Sequence, residues 1–183
     1  MLPSAHMYGL MFEVLYELTC GCHVFFLSRL PSPKIIMQAL AEVKPTLVIA
    51  VPLIIEKIYK SKVKPVLEKA GIRFVMKLPG LEQVVMNKIK TELVNAFGAE
   101  FYEVIIGGAA FNKEVEAFFK KMEFPFTVGY GMTECAPIIT YDDYKTAKLY
   151  SCGRIVPNME MKVDSPDPQN IPGELLVRGA NVF

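Results

Sequence analysis

An apolar, strand-like stretch of this chain, residues 126–130, ends abruptly in an aromatic, a hydroxyl and a carboxylate side chain: Tyr130, Thr133 and Glu134. An aromatic ring can stack on a nucleotide base, and a hydroxyl can hydrogen-bond a phosphate oxygen. A carboxylate can hold Mg²⁺, a hard cation that prefers oxygen ligands. Glycine on either side of Tyr130 lets the backbone approach a ligand closely. The combination predicts a nucleotide site, with an ordinary strand-to-loop turn as the alternative.

A second apolar stretch, residues 104–106, runs into the paired glycines Gly107 and Gly108 and then Ala109. Asn112 follows as a candidate helix N-cap, ahead of a predicted helix over residues 113–121. In open α/β sheets, ligands bind outside the carboxyl ends of the strands. Two successive strands that end in Gly-rich, polar turns therefore predict one shared site.

Four segments, in the same order along the chain, resemble motifs of the adenylate-forming superfamily of acyl-CoA synthetases, luciferases and peptide-synthetase adenylation domains. Residues 130–134 resemble its Tyr-Gly-x-Thr-Glu motif, and residues 107–109 resemble its adenine-lining turn. Residues 2–9 resemble its Leu-Pro-x-x-His-x-x-Gly segment, and residues 173–179 resemble its Gly-Glu-(Leu/Ile)-x-x-(Arg/Lys)-Gly strand. Residues 51–59 resemble the Val-Pro-x-x-x-Glu-Lys-(Ile/Val) helix start of long-chain fatty acyl-CoA synthetases. The resemblance covers essentially the whole chain.

The resemblance implies a reaction in two steps. A fatty carboxylate attacks the α-phosphate of ATP, which gives an acyl-adenylate and pyrophosphate, and the coenzyme A thiolate then displaces AMP. The implied cofactors and cosubstrates are therefore ATP or AMP, Mg²⁺ and coenzyme A. By the same resemblance, Glu134 is the expected Mg²⁺ ligand and Thr133 is expected to hydrogen-bond the α-phosphate. His6 is expected near the carboxylate, gating the acyl pocket; the alternative is a histidine held by the backbone at a helix start.

The remaining site residues implied by the resemblance surround the base and the acyl group. Tyr130 is expected to stack on adenine, and Gly107, Gly108 and Ala109 to offer their backbone to it. Gly131 is expected near the acyl entrance. The phosphate loop of the family has no counterpart in this sequence, and its ribose-binding Asp and catalytic Lys are expected further along. The resemblance thus implies a central fragment of a synthetase that cannot form acyl-adenylate alone.

The elements that position these residues follow from hydrophobic periodicity. Helices are predicted over residues 7–19, 33–43, 52 to about 59 or 64, and 82–97, and strands over residues 22–27, 46–51, 104–106 and 126–130. This alternation predicts an α/β fold with a parallel sheet and crossover helices. Two shorter strands, residues 159–163 and 174–177, are predicted to pair antiparallel. The predicted organisation is an α/β AMP-binding core subdomain over residues 1–140, followed by the start of a β-rich subdomain over residues 141–183, both partial.

Charge and hydropathy exclude some partners. The net charge of +1 provides no electrostatic footprint for nucleic acid. The longest apolar run, residues 47–55, is far shorter than the roughly 20 residues that cross a bilayer. Five lysines lie close together and are predicted to form a solvated face, with peripheral membrane contact as the alternative: Lys57, Lys60, Lys62, Lys64 and Lys69.

The four cysteines do not form a metal-binding pattern. Cys20 and Cys22 are separated by one residue and are not followed by a second ligand pair. They flank an apolar run, so buried free thiols are predicted. Free thiols favour a reducing, cytoplasmic compartment, and the sequence leaves association with a membrane open.

Three functions are compatible with this sequence. The leading hypothesis is a long-chain fatty acid–CoA ligase, because the candidate pocket stretches, residues 6–18 and 129–140, are largely apolar. An adenylating enzyme for an aryl or amino acid is the second, and a non-catalytic acyl- or nucleotide-binding module is the third. Retention of Thr133 and Glu134 argues against the third. The sequence predicts neither an acyl chain length nor an oligomeric state.

Overall fold

The computed structural model describes residues 5–27, 32–78 and 80–183. Residues 2–4 of the predicted Leu-Pro-x-x-His-x-x-Gly segment lie outside this part. The helices are α1 (Met7–Gly9), α2 (Tyr16–Thr19), α3 (Pro33–Val43), α4 (Pro52–Ile58), α5 (Lys64–Leu67), α6 (Ala70–Val75), α7 (Leu81–Ala96) and α8 (Lys113–Lys121). Two π-helical segments, Leu10–Leu15 and Tyr59–Val63, join α1 to α2 and α4 to α5, and Thr133–Cys135 is a 3₁₀ turn. The strands are β1 (Leu47–Ala50), β2 (Glu103–Ile106), β3 (Phe126–Val128), β4 (Tyr130–Gly131), β5 (Ile138–Tyr141), β6 (Arg154–Ile155), β7 (Met159–Asp164) and β8 (Glu174–Gly179).

Strands β1, β2 and β3 form a parallel sheet in that order. Leu47 pairs with Glu103 and Ile49 with Ile105 across β1 and β2, and Ile105 pairs with Thr127 across β2 and β3. Parallel pairing needs long crossover connections. Here α4 to α7 connect β1 to β2, and α8 connects β2 to β3. The predicted α/β class with a parallel sheet and crossover helices is confirmed.

Two small antiparallel sheets follow. In the first, β5 lies between β4 and β6; in the second, β7 pairs with β8 from Met159 opposite Gly179 to Asp164 opposite Glu174. The predicted antiparallel pairing of these last two strands is confirmed. The predicted subdomain boundary after residue 140 falls inside β5, and that division stays a prediction.

The two faces of the parallel sheet have different surroundings, because successive side chains of a strand point to opposite faces. Val48, Ala50, Val104 and Ile106 belong to the main hydrophobic core. The alternate residues of the same two strands line a cavity: Leu47, Ile49, Glu103 and Ile105. The sheet therefore separates the core from the cavity.

An aromatic cluster fixes α8 against the sheet. The Phe119 ring is fully buried and lies 4.9 Å from the Phe124 ring and 5.8 Å from the Phe126 ring, between centroids. Phe97 lies 5.8 Å from Phe124 on the other side. Burial of each such side chain contributes roughly 1.5–3 kcal/mol, so this cluster holds in place the strands that end at the cavity.

Two helix starts match their sequence signals. The Ser32 hydroxyl accepts a hydrogen bond from the Ile35 amide at 3.3 Å, ahead of α3. The Asn112 side chain accepts from the Glu114 and Val115 amides at 3.0 and 3.1 Å, ahead of α8. Capping oxygens satisfy amides that have no partner in the first turn of a helix.

The segment from Cys20 to Leu27 differs from its prediction. Residues 22–27 were predicted as a buried strand, but they form no strand, and Phe25 and Phe26 are 66% and 70% exposed. Cys20 and Cys22 are free, as predicted, but exposed rather than buried. An apolar run forms a buried strand only when a neighbouring strand pairs with it, and the described residues provide none here.

The lysine-rich segment is solvated, as predicted. All five of its lysines are exposed, and Lys64 pairs with Glu68 at 3.9 Å on the surface. Within the described ranges, helices are too short or too polar to cross a bilayer. Peripheral membrane contact and cytoplasmic location stay predictions.

Candidate active site

A cavity of about 710 Å³ opens at the carboxyl ends of the parallel strands and extends along the sheet face opposite the core. It brings together all the predicted site residues except Ala109: His6, Gly107, Gly108, Tyr130, Gly131, Thr133 and Glu134. Ala109 is exposed and does not belong to the lining. Both strand ends thus line one cavity, and its role as a shared site stays a prediction.

Backbone hydrogen bonds hold the two turns side by side. The Gly107 amide donates to the Ala50 carbonyl oxygen at 3.1 Å, and the Gly129 amide donates to the Ile106 carbonyl oxygen at 2.9 Å. These bonds extend the parallel ladder one step beyond each strand. The Gly-rich turn after β2 and the Tyr130 segment after β3 therefore leave the sheet at the same edge.

Gly107 is required by a close approach. A β-carbon at this position would lie 3.1 Å from the Tyr8 ring carbon Cζ and from its hydroxyl oxygen. Tyr8 itself is buried, and its hydroxyl donates to the Ile105 carbonyl oxygen at 3.3 Å. Gly108 follows with φ of +85°, a left-handed conformation that favours glycine.

Thr133 and Glu134 are exposed and belong to a 3₁₀ turn that backbone hydrogen bonds stabilise. The Met132 amide donates to the Pro137 carbonyl oxygen at 2.8 Å and closes the loop. Asn181 braces the same turn, because its side-chain amide donates to the Cys135 carbonyl oxygen at 2.5 Å. The Phe183 amide donates to the Glu134 carbonyl oxygen at 3.1 Å. The hydroxyl and carboxylate are thus exposed on a backbone that is fixed at several points.

Tyr130 and Gly131 form β4, which pairs with β5 through an irregular register. The Tyr130 ring is 40% exposed, so a face remains available for stacking. A β-carbon at Gly131 would lie 1.8 Å from the Pro137 carbonyl oxygen. Glycine at 131 therefore allows the strand pairing that positions the turn after it.

His6 caps a helix start and also lines the cavity. Its Nδ1 accepts a hydrogen bond from the Tyr8 amide at 3.2 Å, so the ring is the N-cap of α1. It also lines the cavity. With Nδ1 as acceptor, a neutral imidazole carries its proton on Nε2, which makes that nitrogen a hydrogen-bond donor.

Glu134 fits a metal ion that is shared with a nucleotide. Mg²⁺ commonly binds one or two protein carboxylates together with substrate phosphates and water. Among the residues described, no group of three or more His, Cys, Asp or Glu side chains could hold an ion by itself. An exposed carboxylate on the cavity wall is therefore suited to a metal that arrives with the phosphates.

A buried acid that sequence reasoning missed lies on the cavity wall. Glu103 is 1% exposed and lines the cavity from the first position of β2. Burial raises the pKa of Glu103 to about 7; the hydrogen bond from the Tyr141 hydroxyl, at 2.9 Å, opposes this shift, and the charge of Asp143 adds to it. The signal was present in the sequence, since strand alternation places residue 103 on the face of Ile105.

The rest of the lining is mainly apolar. It includes aliphatic and aromatic side chains from the first helical segment, the sheet face and β5: Met7, Phe12, Leu47, Ile49, Ile105 and Ile138. Such a wall suits a hydrocarbon or aryl group. The polar turns and this apolar wall belong to one continuous space.

Glu56, from the predicted long-chain signature, contacts the connection that follows the Gly-rich turn. Its Oε1 accepts a hydrogen bond from the Asn112 amide at 3.2 Å. Asn112 is also the N-cap of α8. Glu56 therefore links α4 to the helix that follows Gly107 and Gly108.

The fold and the cavity define an α/β protein with a candidate nucleotide site at the carboxyl edge of a parallel sheet. The family model described as AMP-binding enzyme matches residues 1–183, and the chain belongs to that family.

Proteins similar in sequence include CoA ligases for fatty acids and for 4-coumarate. The chain is 26% identical over 207 residues to the human long-chain-fatty-acid–CoA ligase ACSBG2, a match that covers 100% of this chain and 30% of the ligase. It is 31% identical over 119 residues to 4-coumarate–CoA ligase 1 of Solanum tuberosum, covering 57% of this chain and 22% of that enzyme. The chain thus spans less than a third of the length of these relatives.

Solved structures share the fold. A benzoate CoA ligase from Burkholderia xenovorans LB400 superposes with a TM-score of 0.68 at 18% identity, over 96% of this chain and 31% of that one. The o-succinylbenzoate CoA synthetase of Bacillus subtilis in complex with ATP and magnesium ion superposes with a TM-score of 0.63 at 21% identity, over 100% and 32%. At these identities the likeness shows the fold alone.

Proposed function

We propose that the full-length protein is a long-chain fatty acid–CoA ligase that forms an acyl-adenylate from ATP. The observation that carries the proposal is the single cavity, which joins the Thr133 and Glu134 turn to the apolar face of the sheet. An acid that enters along this face has its carboxylate at the polar end and its hydrocarbon against Leu47, Ile49 and Ile105. An apolar wall of this kind favours a fatty chain.

The chemistry needs two displacements. A carboxylate oxygen bonds to the α-phosphorus of ATP and pyrophosphate leaves; the coenzyme A thiolate then bonds to the acyl carbon and AMP leaves. Thr133 donates a hydrogen bond from its hydroxyl to an α-phosphate oxygen, and Tyr130 stacks on the base. The exposed Glu134 carboxylate would hold the divalent ion, which would supply neutralisation of the phosphate charge.

His6 acts at the junction between the two ends of the cavity. Its Nδ1 is engaged by the Tyr8 amide, so the ring is held at the start of α1 and Nε2–H is the group offered to the acyl carboxylate. The backbone of Gly107 and Gly108 offers room for the base beside Tyr130. The chain by itself is proposed to be inactive, since it spans only 30% of the human long-chain ligase.

An aryl-CoA ligase is the second candidate. It is favoured by the 31% identity to the potato 4-coumarate–CoA ligase. The buried Glu103 and Tyr141 pair on the cavity wall also favours it, because aryl acids often carry polar substituents. The mainly apolar lining along the sheet is compatible with either acid.

The test is acid-dependent ATP–pyrophosphate exchange by the full-length protein, with a series of saturated fatty acids and with benzoic and 4-coumaric acids. Exchange that is greatest with long chains supports the proposal. Exchange with aryl acids alone favours the second candidate. Absence of exchange with every acid, in a folded protein that binds ATP, would leave a binding-only role.

Two variants separate chemistry from binding in the same assay. Glu134→Ala is expected to lower exchange by at least about a hundredfold, since a metal-binding group at the reacting phosphate supplies several kcal/mol. Glu92→Ala removes an exposed carboxylate from α7, away from the cavity lining, and is expected to leave exchange unchanged. Equal effects of the two changes would contradict a role for Glu134.

A further inference from the structure

Glu103 lines the cavity, and one oxygen of its carboxyl group has no hydrogen-bond partner among the described residues. Its Oε2 accepts the Tyr141 hydroxyl at 2.9 Å. Its Oε1 is buried and has no hydrogen-bond partner among the described residues. Leaving a buried polar atom unpaired costs free energy. We therefore expect a ligand group to form a hydrogen bond with this oxygen.

We propose that Glu103 and Tyr141 form a polar subsite that recognises a hydroxyl group on the acyl chain, remote from the reacting carboxylate. This rests on the proposed function and narrows its substrate class to hydroxylated carboxylic acids. The subsite differs from the adenylation machinery in position, because Glu103 lies at the opposite end of β2 from the Gly-rich turn and Tyr141 contacts it from β5.

The strand geometry sets the separation between the two ends. Glu103 is the first residue of β2, and Gly107 follows its last residue. Four residues of a parallel strand span about 13 Å. Between them, Ile105 and its register partner Ile49 present an apolar wall. A substrate that reaches both ends therefore needs a hydrocarbon segment between its carboxylate and its hydroxyl.

The charges around Glu103 favour a hydroxyl over an ionised group. Asp143 is the nearby acid whose charge raises the pKa of Glu103, and its own carboxylate is engaged by the Tyr102 hydroxyl at 2.7 Å. A backbone hydrogen bond from Tyr144 lowers the pKa of Glu103, and Oε1 itself has no hydrogen-bond partner among the described residues. A distal carboxylate would be repelled here, and an ammonium would need a desolvated ion pair, which is costly.

A substrate hydroxyl can form a hydrogen bond with Glu103 in both protonation states of its carboxyl group. A neutral carboxyl donates one hydrogen bond and an ionised carboxylate only accepts, whereas a hydroxyl both donates and accepts. Burial raises the pKa of Glu103 to about 7, so both states occur near neutral pH. A substrate hydroxyl therefore satisfies Oε1 across this range.

The experiment compares fatty acids with and without a hydroxyl in the ATP–pyrophosphate exchange of the full-length protein. The probes are dodecanoic and hexadecanoic acids and their hydroxylated counterparts, with the hydroxyl moved stepwise from the middle of the chain to its end. We expect kcat/KM to peak at one hydroxyl position, with about a tenfold preference over the unsubstituted acid, the factor that one hydrogen bond supplies. A flat series overturns the subsite and leaves the ligase proposal standing. Absence of exchange with every acid defeats both.

Variants test the residue itself. Glu103→Met keeps the length of the side chain and removes its hydrogen bonding, so the ratio of kcat/KM between hydroxylated and unsubstituted acid is expected to fall about tenfold. An unchanged ratio overturns the proposal, because a structural role alone would slow both substrates together. Thr127→Val is the matched control: Thr127 Oγ1 is also buried without a partner among the described residues, but it lies outside the cavity lining. If Glu103→Met does not fold, the wild-type position series still decides.

Discussion

The Tyr8 hydroxyl donates a hydrogen bond to the Ile105 carbonyl oxygen at 3.3 Å, which ties the first helical segment to the central strand β2. Burial raises the pKa of Tyr8 above its ordinary value, with a further contribution from the charge of Glu13, so the hydroxyl keeps its proton. The same ring lies against Gly107, and the Tyr8 amide fixes the ring of His6. Tyr8 therefore contacts both the histidine, through its backbone amide, and the Gly-rich turn, through its ring.

Gly107→Ala should disturb this arrangement. The new β-carbon would lie 3.1 Å from the Tyr8 ring, so the ring or the turn must shift, and overpacking of this kind costs roughly 1–3 kcal/mol. We expect a lower melting temperature and weaker ATP binding by the full-length protein, measured by thermal unfolding and calorimetric titration.

Gly71→Ala is the control for this change. Gly71 lies in α6, and a β-carbon there would contact nothing within 4 Å. Alanine favours the helix by about 1 kcal/mol over glycine, so this variant should melt at the same or a higher temperature. Equal behaviour of the two variants would contradict the close approach of Tyr8 to Gly107.

The sequence was most informative where local chemistry decides structure. The caps at Ser32 and Asn112 and the antiparallel pair β7 and β8 follow from short-range rules, and the structure confirms them. The prediction of a strand over residues 22–27 was wrong, because an apolar run does not show whether another strand will pair with it. That depends on contacts far along the chain.

The candidate site shows the same limit. Residues that follow strand ends could be identified from composition, since glycine and polar side chains there are unusual. Strand alternation places Glu103 on the face of Ile105, but its contact with Tyr141 and the contact of Tyr8 with Ile105 could not be predicted, because each joins residues distant in sequence. Ala109 directly follows Gly107 and Gly108, but unlike them it lies outside the cavity lining.

Gly131→Ala should damage the Thr133 and Glu134 turn. The added β-carbon would lie 1.8 Å from the Pro137 carbonyl oxygen, and a backbone atom in a strand pair cannot move aside cheaply. We expect β4 to separate from β5, with a loss of pyrophosphate exchange of at least about tenfold, since a displacement of about 1 Å can cost far more.

Gly129→Ala is the matched change two residues earlier. There the β-carbon would lie 3.4 Å from the Thr140 carbonyl oxygen, an ordinary contact distance. Gly129 also lines the cavity, so this variant is expected to keep β4 paired with β5 and to retain more exchange activity than Gly131→Ala. If Gly129→Ala were as inactive as Gly131→Ala, the loss could not be assigned to the collision with Pro137.

Glu56→Ala should weaken the link between α4 and α8. It removes the acceptor for the Asn112 amide, a partly exposed hydrogen bond worth about 1 kcal/mol. We expect a small decrease in the denaturant midpoint of the full-length protein. Lys57→Ala, an exposed neighbour on the same helix, should leave the midpoint unchanged; a decrease of the same size in both would argue against the Glu56 contact.

Glu103 should make the stability of the protein depend on pH in a predictable direction. Its pKa is about 7 in the folded protein against an ordinary value of 4.5, so between these values the folded state binds more protons than the unfolded state. Stability from this group is therefore complete below about pH 4.5 and decreases as the pH rises towards 7. The full difference corresponds to about 3 kcal/mol.

Glu103→Gln removes this titration while keeping the size of the side chain. Its free energy of unfolding relative to wild type should increase between about pH 4.5 and pH 7 and then level off. Denaturant unfolding across this range measures the difference, and Glu92→Gln, on the exposed face of α7, should show no such trend. A constant difference between Glu103→Gln and wild type would mean that Glu103 is already ionised in the folded protein, because only a raised pKa couples this carboxyl to folding in that window.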